Sequence, residues 1–267
     1  MDDAGKGSDL FAGTTLDVAL ERRRAYASLF DPASQRSLTA TGLVEGARCL
    51  EVDEEGDGAL GAWLAERVGP GGSVVVPSPP SSGAGAAPGA RWRMAAVTAR
   101  PERDAFALVH VRAALIHFPQ FRDALARLVR LLRPGGWLVL EEPDFSAARA
   151  FTGSFDQRQG FTSVNRAREA LFRAGRTDFG FGGRLPGLLQ AAGLCELQLE
   201  NDAPMVRGGS PHAALVAADV VSRAEAYRAT GLLTAADLDH YLSFAADPAC
   251  WAVPHATIRG AGRKPAR

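Results

Sequence analysis

Residues 48–76 read RCLEVDEEGDGALGAWLAERVGPGGSVVV, and this stretch decides the fold class. Cys49-Leu50-Glu51-Val52 is a compact run of strand length. Residues 59–68, ALGAWLAERV, read as a helix that ends in the turn sequence Gly69-Pro70-Gly71-Gly72. Residues 73–76 are a β-branched strand, closed by Pro77-Ser78-Pro79-Pro80. Strand, helix and strand in close succession are the repeating unit of a parallel α/β sheet.

The flanking sequence continues the alternation. Strands are expected at 92–97, 106–111 and 137–141, with an amphipathic helix at 123–132 and the turn Arg133-Pro134-Gly135-Gly136 before the last strand. The pattern predicts a doubly wound parallel sheet with helices on both faces, and ligands at the carboxyl ends of its strands. Before it, residues 12–30 are helical, with Leu16, Ala19, Leu20, Tyr26 and Phe30 near a 3.6-residue period. Asp31-Pro32 is expected to stop that helix, because the residue before a proline is pushed out of the α region. Residues 81–90, SSGAGAAPGA, are a low-complexity loop. The second half reads as helices at 155–174, 185–192, 211–229 and 234–246, with late strands near 195–199 and 256–259. The division that follows is a helical segment at 1–45, an α/β core at 46–145 and a helical cap at 146–267 that includes the last strands.

Composition narrows the function classes. The 267 residues carry 30 Lys plus Arg against 30 Asp plus Glu, so net charge gives no attraction to nucleic acid or an anionic membrane. No apolar run approaches the roughly 20 residues that a membrane helix needs. The opening MDDAGKGSDLFAG lacks an apolar signal core. Cys49, Cys195 and Cys250 are widely spaced and contain no CxxC, so they read as thiols of a reducing cytoplasm, not as a disulfide frame or a zinc site.

Arg48-Cys49-Leu50-Glu51-Val52, then Trp63-Leu64-Ala65-Glu66-Arg67-Val68-Gly69-Pro70, then Phe106-Ala107-Leu108-Val109-His110 resemble class I S-adenosylmethionine-dependent methyltransferases. Leu132-Arg133-Pro134-Gly135-Gly136-Trp137 is the most specific single match. Gly183-Arg184-Leu185-Pro186, Gly208-Gly209-Ser210-Pro211 and Gly262-Arg263-Lys264-Pro265 extend the resemblance through the tail. It implies a Rossmann-like doubly wound sheet, N-terminal helices, a helical C-terminal cap, and a bacterial enzyme acting on a small molecule.

The cofactor positions implied by that resemblance are altered. The family places a Gly-x-Gly-x-Gly loop after its first strand. Aligned on Leu50-Glu51-Val52, those glycines become Asp53, Glu55 and Asp57. Aligned on the following helix, Gly56 and Gly58 remain and the first glycine becomes Glu54. The family's ribose-binding acid, after the second strand, falls at Ser78, and its adenine-binding acid falls at Ala96. Five carboxylates thus stand within residues 51–57, where like charge would repel the carboxylate of the cofactor. Asp53-x-Glu55-x-Asp57-Gly58 copies the opening of a calcium loop but meets Leu64 where the closing Glu belongs. The ordinary alternative is a solvated acidic turn at a helix N-terminus.

Candidate chemistry gathers after the fourth and fifth family strands. Arg112, His117, Glu142 and Asp144 are the candidate catalytic residues, with Arg112 placed to orient a substrate or to pair with Glu142 or Asp144. His110 is expected to hold the adjoining loop. Glu141-Glu142-Pro143-Asp144 follows the fifth family strand, and paired carboxylates there could do general acid–base work if burial raised one pKa. Phe145, Phe151, Phe155 and Trp251 are the candidate substrate-pocket residues, and an aromatic roof suits a hydrophobic substrate.

The expectation drawn from an intact scaffold and altered cofactor positions is a cytoplasmic, methyltransferase-like enzyme without a cofactor. It would perform a cyclisation, pericyclic rearrangement or elimination on a natural product. Two alternatives stay open: S-adenosylmethionine-dependent methylation through Gly56 and Gly58, and a non-catalytic subunit that supports an active relative. A homodimer is also left open, and no metal is expected.

Overall fold

The computed structural model describes residues 16–53, 57–77, 97 and 102–266. The elements in chain order are α1 (Leu16–Ala40), β1 (Arg48–Asp53), α2 (Ala59–Val68), β2 (Ser73–Val75), β3 (Phe106–Arg112), α3 (Phe121–Leu131) and β4 (Leu132–Asp144). Then come β5 (Arg149–Ala150), α4 (Phe155–Ala174), α5 (Leu185–Ala191), β6 (Cys195–Asp202) and β7 (Val206–Arg207). The chain closes with α6 (Pro211–Ser222), α7 (Ala224–Ala229), α8 (Ala235–Ala246), β8 (Trp251–Val253) and β9 (Ala256–Arg263).

They group into two compact units. An α/β unit takes Leu20–Asp144, Gly180–Asp202 and Thr257–Arg267, and a helical unit takes Phe145–Phe179 and Ala203–Ala256. The α/β unit holds a six-stranded sheet in the order β2-β1-β3-β4-β9-β6. β1 pairs in parallel with β2 and with β3, and β3 with β4, while β6 pairs antiparallel to β9. This is the doubly wound arrangement expected from the alternation, with a chain reversal between β1 and β3.

Local chemistry explains the boundaries. Gly135 adopts φ 74°, and a Cβ on Gly136 would lie 2.9 Å from the Phe106 carbonyl oxygen. Only glycine lets the turn after α3 press this closely on β3, so β4 begins at Leu132 instead of at Trp137. Pro32 lies inside α1 and does not stop it. The side chains on either side of that proline, Phe30, Asp31, Ala33, Ser34 and Leu38, are buried in the α/β unit, and this packing overrides the local preference. The helix expected over 211–229 is interrupted at Arg223, between α6 and α7.

The core of the α/β unit joins Leu38 of α1, Leu60, Leu64 and Val68 of α2, and Cys49, Leu108 and Val139 of the sheet. The helical unit buries Phe161, Val164, Val220, Tyr227, Tyr241 and Phe244 around one apolar centre. Helices α4, α6 and α8 start on side-chain caps, while α7 has none. Ser154 with Gln157, and Thr234 with Asp237, form capping boxes, while Ser210 caps α6 just before Pro211. The expected strand at 92–97 lies outside the described residues apart from Val97, and the loop at 81–90 lies wholly outside them. No helix among the described residues is long and apolar enough to cross a membrane.

Candidate functional site

Parallel register brings the chemistry together. Glu51 of β1 stands opposite His110 of β3, Asp53 opposite Arg112, and Arg112 opposite Glu141 of β4. Side chains two apart on a strand share a face, so these odd-and-even partners line one face at the carboxyl edge of the sheet. Such an edge, at a reversal of strand order, is where doubly wound sheets bind ligands.

Arg112 is 1% exposed and organises this edge. It donates to Asp31 at 2.7 Å and to Asp53 at 2.5 Å from Nη2, and to the Ser34 hydroxyl at 3.0 Å from Nη1. Its guanidinium also covers the Tyr26 ring, 5.2 Å from the centroid. Ser34 donates to Glu141 at 2.9 Å. Glu141 accepts from His110 Nε2 at 3.1 Å and from Arg259 Nε at 3.2 Å, and Arg259 reaches Asp202 at 3.1 Å. Burial raises the Asp31 carboxyl above its ordinary value despite the pull of Arg112. Burial also opposes the charged form of His110, but hydrogen bonding to Glu141 and Glu51 outweighs it and lifts the imidazole to about 9. Burial would raise Glu141, yet His110, Arg112 and Arg259 hold it down at about 2.

Glu142 has a different task. Its carboxylate accepts the backbone N–H groups of Ala114, Leu115 and Ile116 at 3.2, 2.8 and 3.2 Å. Those bonds hold the turn after β3, where Ala113 carries φ 50°, a left-handed conformation that costs energy in a residue with a side chain. The turn leads into the short 3₁₀ segment Leu115–His117.

The expected pairing of Arg112 with Glu142 or Asp144 is therefore corrected to Asp31 and Asp53. Strand alternation sends Glu142 away from Glu141, so the two are not a working carboxylate pair. His117 is half-buried at the end of the 3₁₀ segment, and Asp144 is half-buried at the end of β4. Among the pocket candidates, Phe145 packs edge-on against Phe172 and stacks with Phe179. Phe151 and Trp251 are exposed and share a backbone hydrogen bond of 2.9 Å, and Phe155 is 73% exposed. Asp31, Ser34, Glu51, Asp202 and Arg259 were not foreseen as members of the network. Glu51 and Arg259 carry the visible signal, each a charged residue directly flanked by apolar or small residues within a strand.

Charge and room decide whether this edge fits the cofactor that the resemblance implies. The carboxylate of Asp53 is matched by Arg112, and Asp57 accepts the Ala59 N–H at 3.0 Å at the start of α2. Asp53 is therefore charge-matched, while Asp57 caps the start of α2 through a backbone bond. Gly58 has φ 96°, and a Cβ there would find no atom of the described residues within 4 Å. An open, left-handed glycine at the N-terminus of α2 suits a close approach to backbone, so the residues present fit the group. Glu55, Ser78 and Ala96 lie outside the described residues.

Comparison with known proteins agrees with this geometry. Residues 78–140 match the model of a methyltransferase domain. "Methyltransferase str3" of Strobilurus tenacellus is 35% identical over 91 residues, covering 33% of this chain and 30% of the relative. "Methyltransferase str2" of the same fungus is 36% identical over 73 residues, covering 26% of each. The chain thus spans under a third of either relative.

A Galdieria sulphuraria structure described as a sarcosine dimethylglycine methyltransferase superimposes with TM-score 0.51 at 17% identity, over 97% of this chain and 95% of the other. Phosphoethanolamine N-methyltransferase 2 of Haemonchus contortus gives TM-score 0.50 at 13% identity, over 94% of this chain and 58% of the other. That protein is in complex with phosphomonomethylethanolamine and S-adenosylhomocysteine. The expectation of no cofactor is corrected by this neighbour, since a protein of the same fold holds the product form of the cofactor. Residues 78–140 are thus similar to a methyltransferase domain, and the chain shares the doubly wound α/β fold of these solved structures.

Proposed function

We propose that this protein is an S-adenosylmethionine-dependent methyltransferase of a small, largely hydrophobic molecule. The observation that carries the proposal is the pairing of Asp53 with the buried guanidinium of Arg112, beside the open glycine Gly58. It meets the charge of Asp53, one of the five carboxylates within residues 51–57, with a buried cation.

In this reading Gly58 and the N-terminus of α2 hold the cofactor, whose chemistry is an electrophilic methyl group on a sulfonium. Arg112 acts through Asp53 as a positioning residue. Glu142 fixes the turn that carries His117 through three backbone bonds, so His117 is the residue placed to take a proton from an acceptor hydroxyl or carboxyl. Asp144, at the end of β4, supplies a second polar group.

Calorimetric titration of the full chain with S-adenosylmethionine tests the proposal. Saturable binding at about micromolar concentration is expected, and no heat of binding at millimolar cofactor overturns it.

A further inference from the structure

The helical unit contains a cleft of about 470 Å³ with a composition unlike the rest of the chain. Phe145, Phe161 and Phe179 form its walls, and Arg149, Arg158 and Arg166 stand around it. Arg149 lies over the Phe151 ring, 5.4 Å from its centroid. Arg158 donates to the Gly153 carbonyl. Arg166 has no hydrogen bond or ion pair to any described residue. None of the three has a carboxylate partner among the described residues. The acid that lines the cleft, Glu169, is engaged by Arg173 at 2.9 Å.

Behind the wall lies a fourth arginine. Arg168 is 4% exposed, and its guanidinium sits 5.1 Å from the centroid of the Phe145 ring. It donates to the Tyr227 hydroxyl at 3.3 Å and to Asn165 Oδ1 at 3.1 Å, and Asn165 itself lines the cleft. Both acceptors are neutral, and the carboxylate whose charge reaches Arg168, Asp219, is engaged by Arg223 at 2.9 Å. The buried guanidinium adds to the positive potential of an aromatic-walled cavity of small-molecule size.

We infer that this cleft binds a small aromatic or conjugated carboxylate, its ring against Phe145 and Phe179 and its charge facing the arginines. Charge-assisted hydrogen bonds to guanidinium supply the preference for an anion, and stacking supplies the preference for a ring. The inference goes beyond methyl transfer and is measured without any cofactor, so its failure leaves that proposal standing and the reverse also holds.

The test titrates the full chain with cinnamate, with cinnamamide as the neutral counterpart, and with inorganic phosphate. Saturable binding of cinnamate, at least about tenfold tighter than cinnamamide, is expected from the loss of one charge-assisted contact. The double variant Arg149→Gln/Arg166→Gln, which alters exposed side chains only, should weaken cinnamate by about fivefold or more and leave cinnamamide unchanged. A thermal melt matching that of the parent confirms that the variant is folded. Equal binding of acid and amide, phosphate binding tighter than cinnamate, no saturable binding, or indifference to the double variant each overturns the inference.

Discussion

The two units treat buried charge in opposite ways. In the α/β unit Arg112 lies between two aspartates, His110 between two glutamates, and Arg259 against Glu141 and Asp202. In the helical unit Arg168 is also buried, but its hydrogen bonds go to a phenol and an amide and it covers a ring, with the carboxylate of Asp219 acting on it by charge alone. A network of direct ion pairs holds its own geometry, which is what the carboxyl edge of a sheet needs to place a bound group. A cation hydrogen-bonded only to neutral groups leaves a field that a ligand can answer. The same residue type thus serves as a frame in one unit and as an attractor in the other.

Removing Arg112 breaks the first half of that contrast most directly. Arg112→Ala leaves Asp31 and Asp53 buried without their partner, which costs about 3–5 kcal/mol in comparable buried pairs. Urea unfolding at neutral pH should show a loss of that size. A loss under about 1 kcal/mol would mean that water or another group satisfies both carboxylates, and the network would not be closed.

Acid and alkali should separate the units by their histidines. His110 rises to about 9 in the folded protein, against about 6.5 unfolded. Its contribution is therefore complete below pH 6.5 and lost as pH rises through 9. Glu141 falls to about 2, so its contribution is present above the unfolded carboxylate value near 4.3 and lost as pH falls through 2. In the helical unit burial, with help from His212 and Arg168, lowers His255 to about 3. There the unfolded chain takes up the proton first, so stability declines as pH falls from about 6.5 toward 3. His110→Gln should remove the alkaline limb and cost about 2–3 kcal/mol at neutral pH, and His255→Phe should remove the decline on the acid side. Stability measured by denaturant between pH 3 and 10 reads both, and an unchanged alkaline limb in His110→Gln would refute the first assignment.

Arg168→Met should do less harm than Arg112→Ala. It strands only neutral groups, the Tyr227 hydroxyl and the Asn165 amide, so the expected loss is about 1–2 kcal/mol or smaller. A loss of about 4 kcal/mol would imply a carboxylate partner and erase the contrast between the units.

These pairings differ sharply in how far they could be read from the sequence. The strands and helices of residues 48–76 were legible because the apolar runs are local and the Gly69–Gly72 turn separates them. Leu132–Trp137 was legible because its glycines answer a steric demand that no other residue meets. Asp31 and Arg112 are 81 residues apart, and only the packing of α1 on the sheet joins them. The same packing carries α1 through Pro32. Glu142 was read as reactive because its backbone partners, the N–H groups of 114–116, leave no trace in side-chain identity. Its separation from Glu141 was nonetheless visible in strand parity. Arg168 also left a signal: with Val164 and Phe172 at four-residue spacing it lies on the apolar stripe of α4, where a charge invites a question.

The smallest expected effect on stability bears most directly on the frame formed by the α/β unit. Gly58 begins α2 without a side-chain cap, in contrast to the capped helices of the helical unit. At φ 96° a Cβ meets no neighbour among the described residues, so Gly58→Ala is expected to cost the strain of a left-handed backbone, about 1 kcal/mol. If backbone at this point approaches the cofactor, the same substitution should weaken S-adenosylmethionine by about tenfold while Asp53 and Arg112 remain paired. Calorimetry on the variant separates the two effects. A variant with lower stability and parental cofactor affinity would show that the open space beside Gly58 faces solvent, and that the closed network frames a site elsewhere along the sheet edge.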